Sequence, residues 1–247
     1  MNEKLVTIMN FSHIYDDEDF YQNENINWLD CTQISSSNGY ASQEALQQIQ
    51  DKIKDLSVHG IHFIDNGNYH YLTKLWIEKI DEPFILVVFD HHSDMQKPLY
   101  DDFLSCGSWI MDSLKDNDYL QKVIFVGIDQ KQMNLIDTSY HDKIECIDDL
   151  SMMYNDVFLS TLCDNYPIYI SIDKDVLSQD VVKTTWDQGI MTLDELTYFL
   201  TILLQKKTVI GVDICGECPL ESNDFKNIQK DNQVNLLLLQ WIKKLNH

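Results

Sequence analysis

The sequence predicts an α/β fold, a three-layer αβα arrangement around a mainly parallel central sheet. Short runs of β-branched and aromatic residues alternate with stretches in which apolar residues recur at helical spacing, which is typical of strands joined by crossover helices. Residues 84–89 are apolar at every position, as expected of a central strand covered on both faces. Because no internal repeat or shift in composition divides residues 1–247, we expect a single domain.

These patterns predict six strands and six helices. The strands are residues 5–9, 61–64, 84–89, 123–126, 168–172 and 209–212. The helices lie within residues 45–56, 71–80, 101–115, 151–165, 193–205 and 223–245. Ser42 and Thr192 are placed to cap two of them, and Glu195 completes a capping box with Thr192. In the last helix the buried candidates are Leu236, Leu239 and Trp241.

Composition and charge exclude several classes of partner. The chain has 18 Lys and Arg against 40 Asp and Glu, a formal net charge of −22. A field of this sign repels phosphate backbones and anionic membrane surfaces, so we expect neither nucleic acid nor membrane as a partner. It attracts cations such as metal ions, amines and guanidines, although most of these carboxylates are expected to be solvated surface groups.

The same sequence favours a cytoplasmic location. The longest apolar run, residues 84–89, is far too short to cross a bilayer. The N-terminal residues lack the long apolar stretch and small-residue cleavage site of a signal peptide. Six scattered cysteines are too sparse for a disulfide framework in a chain of 247 residues, which favours a reducing compartment.

Polar residues follow three of the predicted strands, at the point where each strand ends. These segments are Asp90-His91-His92-Ser93-Asp94, Ser171-Ile172-Asp173-Lys174-Asp175 and Asp213-Ile214-Cys215-Gly216-Glu217. The carboxyl ends of parallel strands form the ligand-binding edge of an open α/β sheet. Acids brought together there repel one another unless bound cations neutralise them.

The spacing within these segments predicts which side chains converge. Residues i and i+2 of an extended chain point the same way, so Asp90 shares a face with His92, and Asp173 shares one with Asp175. The same alternation turns His91 away, toward a packing role. Mixed carboxylate and imidazole ligands suit Mn²⁺, and Zn²⁺ or Fe²⁺ less exclusively.

These motifs resemble those of the ureohydrolase family, which includes arginase, agmatinase and formimidoylglutamase. In that family a D-x-H-x-D motif follows a buried strand and an S-x-D-x-D motif follows a later one, and residues 90–94 and 171–175 match both in order. Gly67-Asn68-Tyr69-His70 stands in place of the family's Gly-Gly-Asp-His segment and keeps its first and last residues. The resemblance spans about residues 60–220 and implies an arginase-like fold.

The resemblance also implies a pair of manganese ions. The first would be held by His70, Asp90, Asp94 and Asp173. The second would be held by Asp90, His92, Asp173 and Asp175, so that Asp90 and Asp173 bridge. Such a pair supplies a bridging hydroxide at neutral pH, which would attack a C–N bond of a guanidino, amidino or linear amide small molecule. Asp175 would then accept or relay the proton of the attacking water.

Two departures from the family pattern bear on catalysis. The family places a proton-transfer histidine after D-x-H-x-D, where this chain has Ser105-Cys106-Gly107-Ser108-Trp109. The family's last motif also has a glutamate three residues after its aspartate, which pairs with the guanidinium of the substrate. This chain has Gly216 there and Glu217 one position later. A local bulge would make Glu217 the second catalytic candidate beside Asp175, whereas strict alternation would point it away.

Several hypotheses stay open at this stage. A single-metal deacetylase of the same fold is one alternative, against which the presence of both Asp94 and Asp175 argues. A metal-binding relative without catalysis is another, because the proton-transfer histidine is missing. Cys215 and Cys218 form a C-x-x-C pair that would be redox-active or oxidation-sensitive. We expect Trp186 to rim the pocket, a small cationic or amide molecule to be the substrate, and a homo-oligomer to be possible.

Overall fold

Parallel strands form the centre of the protein in a computed structural model that describes residues 5–97, 102–148, 165–218 and 225–245. The strands within these ranges are β1 Leu5–Asn10, β2 Ile26–Asp30, β3 Tyr40–Ala41, β4 Gly60–Phe63, β5 Phe84–Phe89, β6 Leu104–Ser105, β7 Leu120–Ile128, β8 Ile144–Asp148, β9 Ile168–Asp173 and β10 Val209–Cys215. The α-helices are α1 Gln43–Ile53, α2 Leu72–Ile77, α3 Trp109–Asp116, α4 Gln130–Met133, α5 Leu193–Lys206 and α6 Phe225–Leu245.

Eight of the strands build one sheet, in the order β2-β1-β4-β10-β9-β5-β7-β8. Every neighbouring pair in it is parallel, so all carboxyl ends lie along one edge. The strands β5, β9 and β10, which carry the polar endings, are adjacent at its centre. The short strands β3 and β6 form a separate antiparallel pair.

Apolar layers cover both faces of the sheet. Alternate residues of β5 divide between them: Val87 packs into the core beneath α5 and α6, while Val88 packs into the core beneath α1, α2 and α3. The predicted three-layer αβα fold is confirmed, and the uniform hydrophobicity of β5 follows from burial on both sides.

Most predicted elements are present with ends shifted by a few residues. The Ser42 hydroxyl accepts a hydrogen bond from the Ala45 N–H at 3.2 Å, and Thr192 and Glu195 form the predicted capping box of α5. The edge strands β2 and β8 were not predicted, because their short sequences mix apolar with polar residues. Residues 151–164 of one predicted helix lie outside the described residues.

The last helix corrects one prediction about the core. Leu239 is fully buried and Trp241 is half-buried, but Leu236 is 38% exposed. The buried stripe of α6 runs through Asn235, Leu239 and Ile242, and Leu236 falls outside it. None of the described helices combines the length and the hydropathy that crossing a bilayer requires.

A fully buried lysine lies directly after β9. The Nζ atom of Lys174 donates to Glu217 Oε2 at 2.6 Å, to Asp231 Oδ1 at 2.7 Å and to Asn235 Oδ1 at 3.1 Å. Asn235 in turn donates to Glu18 at 2.8 Å. We call Lys174, Glu217, Asp231, Asn235 and Glu18 the lysine cluster. It connects the ends of β9 and β10 to α6 and to the segment after β1.

The lysine cluster contains one ammonium group and three carboxyl groups. Burial and the charge of Glu217 raise the pKa of Glu18 well above its ordinary value. Burial likewise raises the pKa of Asp231 to about 7, against the attraction of Lys174. Burial alone would lower the pKa of Lys174, but the charges of Asp231 and Glu217 outweigh this effect and raise the pKa above its ordinary value. The lysine therefore stays charged and compensates acids that have no access to water.

Replacing this lysine should destabilise the protein strongly. We expect Lys174→Met to lower the free energy of unfolding at neutral pH by roughly 3–5 kcal/mol, because it leaves buried carboxylates without a cation. The loss should shrink as the pH falls, since protonation of Asp231 and Glu18 relieves their repulsion. Urea denaturation of both proteins at several pH values measures it.

The matched control is Lys206→Met, at an exposed position at the end of α5. It should change the free energy of unfolding by less than about 0.5 kcal/mol. Equal losses in the two variants would show that the buried ion pairs of Lys174 contribute little.

Candidate metal centre

Six polar side chains meet at the carboxyl edge of the sheet. Asp90 directly follows β5, Asp173 ends β9, and Asp175 lies in the single 3₁₀ turn after it. His70 ends another 3₁₀ turn, formed by Gly67–Tyr69 ahead of α2. The complete set, which matches the six metal ligands expected from the motifs, is His70, Asp90, His92, Asp94, Asp173 and Asp175. All are buried except His92, which is half-buried.

One part of this set is centred on His70. Its Nδ1 atom lies 3.0 Å from Asp94 Oδ2, 3.2 Å from Asp90 Oδ2 and 3.6 Å from Asp173 Oδ2. The other ring nitrogen, Nε2, lies 2.8 Å from the Ser171 hydroxyl, which fixes the orientation of the ring. One nitrogen therefore faces three carboxylates while the other is anchored.

The second part is centred on His92. Its Nδ1 atom lies 2.9 Å from Asp175 Oδ2 and 3.5 Å from Asp90 Oδ1. Asp90 thus presents one oxygen to each histidine. Ligand atoms of His70, Asp90 and Asp94 lie within 4.8 Å of one another, and so do those of Asp90, His92 and Asp175. Two ion sites that share Asp90 are compatible with this geometry.

Local hydrogen bonds hold the carboxylates in place. The His92 N–H donates to Asp90 Oδ1 at 2.6 Å, and the Asp175 N–H donates to Asp173 Oδ1 at 3.0 Å. The Trp109 indole donates to Asp94 Oδ2 at 2.6 Å. Asp94 adopts a φ of 47°, in the left-handed region that non-glycine residues rarely occupy. The backbone is therefore strained at Asp94, and this conformation keeps the Asp94 carboxylate within the ligand set.

The electrostatics of the set favour divalent cations. Burial raises the pKa of Asp175 well above its ordinary value, and Asp173 and Asp90 raise it further. Burial and Asp90 raise the pKa of Asp94 to about 6. Burial would lower the pKa of His92, but Asp175 and Asp90 outweigh it and raise the pKa to about 12. Without metal, protons offset the crowding of four carboxylates, a role that two dications could take over.

The pKa shifts of His70 and Asp90 have the same origin. Burial would lower the pKa of His70, but Asp90 and Asp94 raise it well above its ordinary value. Burial would raise the pKa of Asp90, but hydrogen bonds to His70 and His92 lower it. Asp90 is therefore the carboxylate that the two imidazoles keep ionised.

A cavity of about 410 Å³ lies above the ligand set. It is lined by the candidate ligands other than His70. The further side chains that line it include Asn38, Tyr40, Asn68, Gln96, Lys97, Cys106 and Trp186. Trp186 is 48% exposed and lies over Gly67, where an added Cβ would come within 2.9 Å of the indole ring. The structure thus places Trp186 at the rim of the pocket. The volume suits a small molecule.

Glu217 does not reach this cavity, contrary to the prediction. Its side chain is fully buried on the opposite side, where it belongs to the lysine cluster and accepts a further hydrogen bond from Tyr15 at 3.2 Å. The chain turns at Gly216, whose φ is 90°. The Cys215 thiol contacts Asp173, so strict alternation would point Glu217 toward the metal-ligand side. The left-handed turn at Gly216 instead directs its carboxylate to the lysine cluster.

Sequence patterns missed several residues that support the ligand set. They include Ser171 and Trp109, and also Cys215, whose thiol donates to Asp173 Oδ2 at 3.1 Å. The pairing of Cys215 with Asp173 in β10 and β9 explains that contact. Burial raises the pKa of Cys215 well above its ordinary value, which disfavours the thiolate that redox exchange needs. Cys215 and Cys218 are buried and not joined by a disulfide.

Comparisons with known proteins agree with this site and fold. The chain is 36% identical over 192 residues to an uncharacterized protein of Thermotoga maritima, covering 76% of this chain and 70% of that one. A formimidoylglutamase from Bacillus subtilis superposes with a TM-score of 0.70 at 16% identity, covering 98% of this chain and 86% of that one.

A Trypanosoma cruzi formiminoglutamase variant solved with Mn²⁺ superposes with a TM-score of 0.69 at 11% identity, covering 100% of this chain and 94% of that one. At these identities the solved structures show the fold alone. The family model described as "Arginase family" matches residues 5–224, most of the chain. The chain therefore belongs to the arginase family of hydrolases.

Proposed function

We propose that this protein is a binuclear, manganese-dependent hydrolase of a C–N bond in a small guanidino, amidino or linear amide molecule. The observation that carries the proposal is the pair of ligand groups that share Asp90 at the floor of one cavity. We also propose the cytoplasm as its location.

Each metal would have a nitrogen and three carboxylates. His70, Asp90, Asp94 and Asp173 would hold one ion. Asp90, His92, Asp173 and Asp175 would hold the other. This donor set suits Mn²⁺ and accommodates Zn²⁺ or Fe²⁺. The presence of Mn²⁺ in the solved formiminoglutamase supports manganese as the first metal to test.

When bound, the two dications would lower the pKa of a water held between them and polarise the reacting group of the substrate. The chain itself would orient and transfer protons. Asp175 Oδ1 accepts the His91 N–H at 3.2 Å, and Oδ2 lies 2.9 Å from His92 Nδ1, so this carboxylate is held in a fixed orientation. We assign to it the transfer of the proton from the attacking water to the departing nitrogen. No histidine other than His92 lines the described part of the cavity to take this role.

Two adjacent histidines give a matched test of this proposal. His92→Ala should reduce bound manganese from about two ions per chain to about one and lower kcat/KM by roughly 100-fold or more. His91→Ala should leave both unchanged, since His91 contacts Asp175 through its backbone N–H. Elemental analysis gives the stoichiometry. Arginine, agmatine, guanidinobutyrate and formimidoylglutamate provide the first substrates.

Other outcomes would replace the proposal. One metal per chain together with amide deacetylation would make the protein a single-metal deacetylase. Two metals without product from any small C–N substrate would make it a metal-binding relative without catalysis.

The pH dependence of stability provides a second test. The pKa of His92 is raised to about 12, and those of His70 and Asp175 are also raised, so the folded metal-free protein holds protons that the unfolded chain has released. The stability that these groups contribute is complete below their unfolded pKa values and is lost as the pH rises toward the folded values. The metal-free protein should therefore become less stable between about pH 6.5 and pH 8.5.

Manganese must displace these protons to bind, so its affinity should increase over the same range. We expect saturating Mn²⁺ to raise Tm more at about pH 8.5 than at about pH 6.5, with release of protons into weakly buffered solution. An equal gain in Tm at both pH values would mean that metal binding does not displace protons from His70 and His92.

A further inference from the structure

We propose that the substrate has an uncharged reacting group, a linear amide, and a carboxylate tail that Lys97 binds. This inference rests on the proposed function and narrows its substrate class. It follows from the net charge that the cavity lining would have with metal ions bound, and from the position of the Glu217 side chain outside the cavity.

The first step concerns the charge of the cavity floor. Asp90, Asp94, Asp173 and Asp175 contribute four negative charges, which two dications would compensate. Of the other described residues that line the cavity, Lys97 is the one with a charged side chain. The cavity with bound metal ions would therefore be neutral or slightly positive, although the whole chain carries −22.

A cationic reacting group is poorly suited to such a floor. A guanidinium or protonated amidine beside two dications is repelled unless a carboxylate that does not bind metal accompanies it. Among the described lining residues, all four carboxylates belong to the ligand set. Glu217 directly follows the position at which the family has its substrate-binding glutamate. Its side chain is fully buried, and its Oε2 atom lies 2.6 Å from Lys174 Nζ.

Position 216 cannot supply the missing carboxylate. A Cβ atom at Gly216 would lie 2.4 Å from Asp173 Oδ1 and 2.7 Å from the Lys174 backbone nitrogen. Its φ of 90° also excludes an unstrained side chain. The local backbone therefore excludes an acidic side chain at position 216.

The upper wall offers neutral hydrogen-bonding groups and one cation. Asn38, Asn68 and Gln96 carry amides, and Tyr40 and Trp186 expose aromatic surface. Lys97 is exposed, and it is the cation among the described residues that line the cavity. An amide in the floor with a carboxylate toward Lys97 matches these groups in charge and hydrogen bonding.

The proposed reaction is a balanced hydrolysis. Water adds its oxygen to the carbonyl carbon of the amide, the C–N bond breaks, and the nitrogen takes a proton from the attacking water. The products are a carboxylate and an amine that keeps the carboxylate tail. No oxidant, reductant or further reactant is needed.

Four compounds with similar chain lengths separate the charge of the reacting group from that of the tail. They are 4-formamidobutyrate, N-(4-aminobutyl)formamide, 4-guanidinobutyrate and agmatine. With the manganese-loaded protein, we expect the highest kcat/KM for 4-formamidobutyrate, by about tenfold or more over each of the others. A second readout does not need catalysis: calorimetry should show tighter binding of 4-aminobutyrate than of 1,4-diaminobutane.

Lys97→Gln tests the role of the lysine. It should raise KM for 4-formamidobutyrate and Kd for 4-aminobutyrate about tenfold without raising KM for N-(4-aminobutyl)formamide, because the lysine attracts a carboxylate tail and repels an ammonium tail. Lys206→Gln, at the opposite end of α5 from the site, is the matched control and should change neither constant. Added salt should weaken the effect of Lys97, since this residue is exposed.

The outcomes distinguish this inference from the proposed function. Preferential hydrolysis of agmatine or 4-guanidinobutyrate would overturn the inference and leave the hydrolase proposal standing. Hydrolysis of none of the four compounds, with Lys97-dependent binding of 4-aminobutyrate, would overturn the catalytic proposal and support the tail-binding role of Lys97. Equal binding of 4-aminobutyrate by wild type and Lys97→Gln would overturn the role of the lysine.

Discussion

The crowding of four buried carboxylates around two imidazoles is the constraint on which the rest of the structure depends. Such a set is unfavourable in a protein interior unless protons or metal ions compensate it. The parallel sheet makes the crowding unavoidable, because β5 and β9 are neighbours and their carboxyl ends coincide. The strained backbone of Asp94 and the anchoring of His70 by Ser171 show that the surrounding fold keeps this arrangement in place.

The lysine cluster extends this constraint to the other face of the sheet. Lys174 lies between Asp173 and Asp175 in sequence, but its side chain points away from them and is held by α6 and the end of β10. The backbone between two candidate ligands is therefore attached to two other elements. The acids of the lysine cluster are compensated by an ammonium group, whereas those of the ligand set lie beside two imidazoles whose pKa values they raise. One edge of the sheet thus carries two clusters of acids that are compensated in different ways.

Much of this organisation could be predicted from the sequence, for identifiable reasons. The uniform hydrophobicity of residues 84–89 indicated a central strand, and the alternation in D-x-H-x-D indicated which of two adjacent histidines faces the carboxylates. The direction of Glu217 was not settled, because it depends on the backbone at Gly216 and on partners far away in the sequence. Ser171, Trp109 and Cys215 were missed because their contacts arise from strand register and helix packing, which local patterns do not contain.

The close approach at Gly216 has an evolutionary consequence. Restoring an acidic side chain there would require the neighbouring backbone to move, and that backbone is held by the contacts of Lys174 with Glu217. Substitutions at positions 174, 216 and 217 should therefore be epistatic, with single changes harmful and only a combined change tolerated. A lineage that acquired this arrangement would rarely revert by single substitutions, because each would destabilise the protein. Its substrate specificity would then be preserved by the requirement for stability as well as by selection for activity.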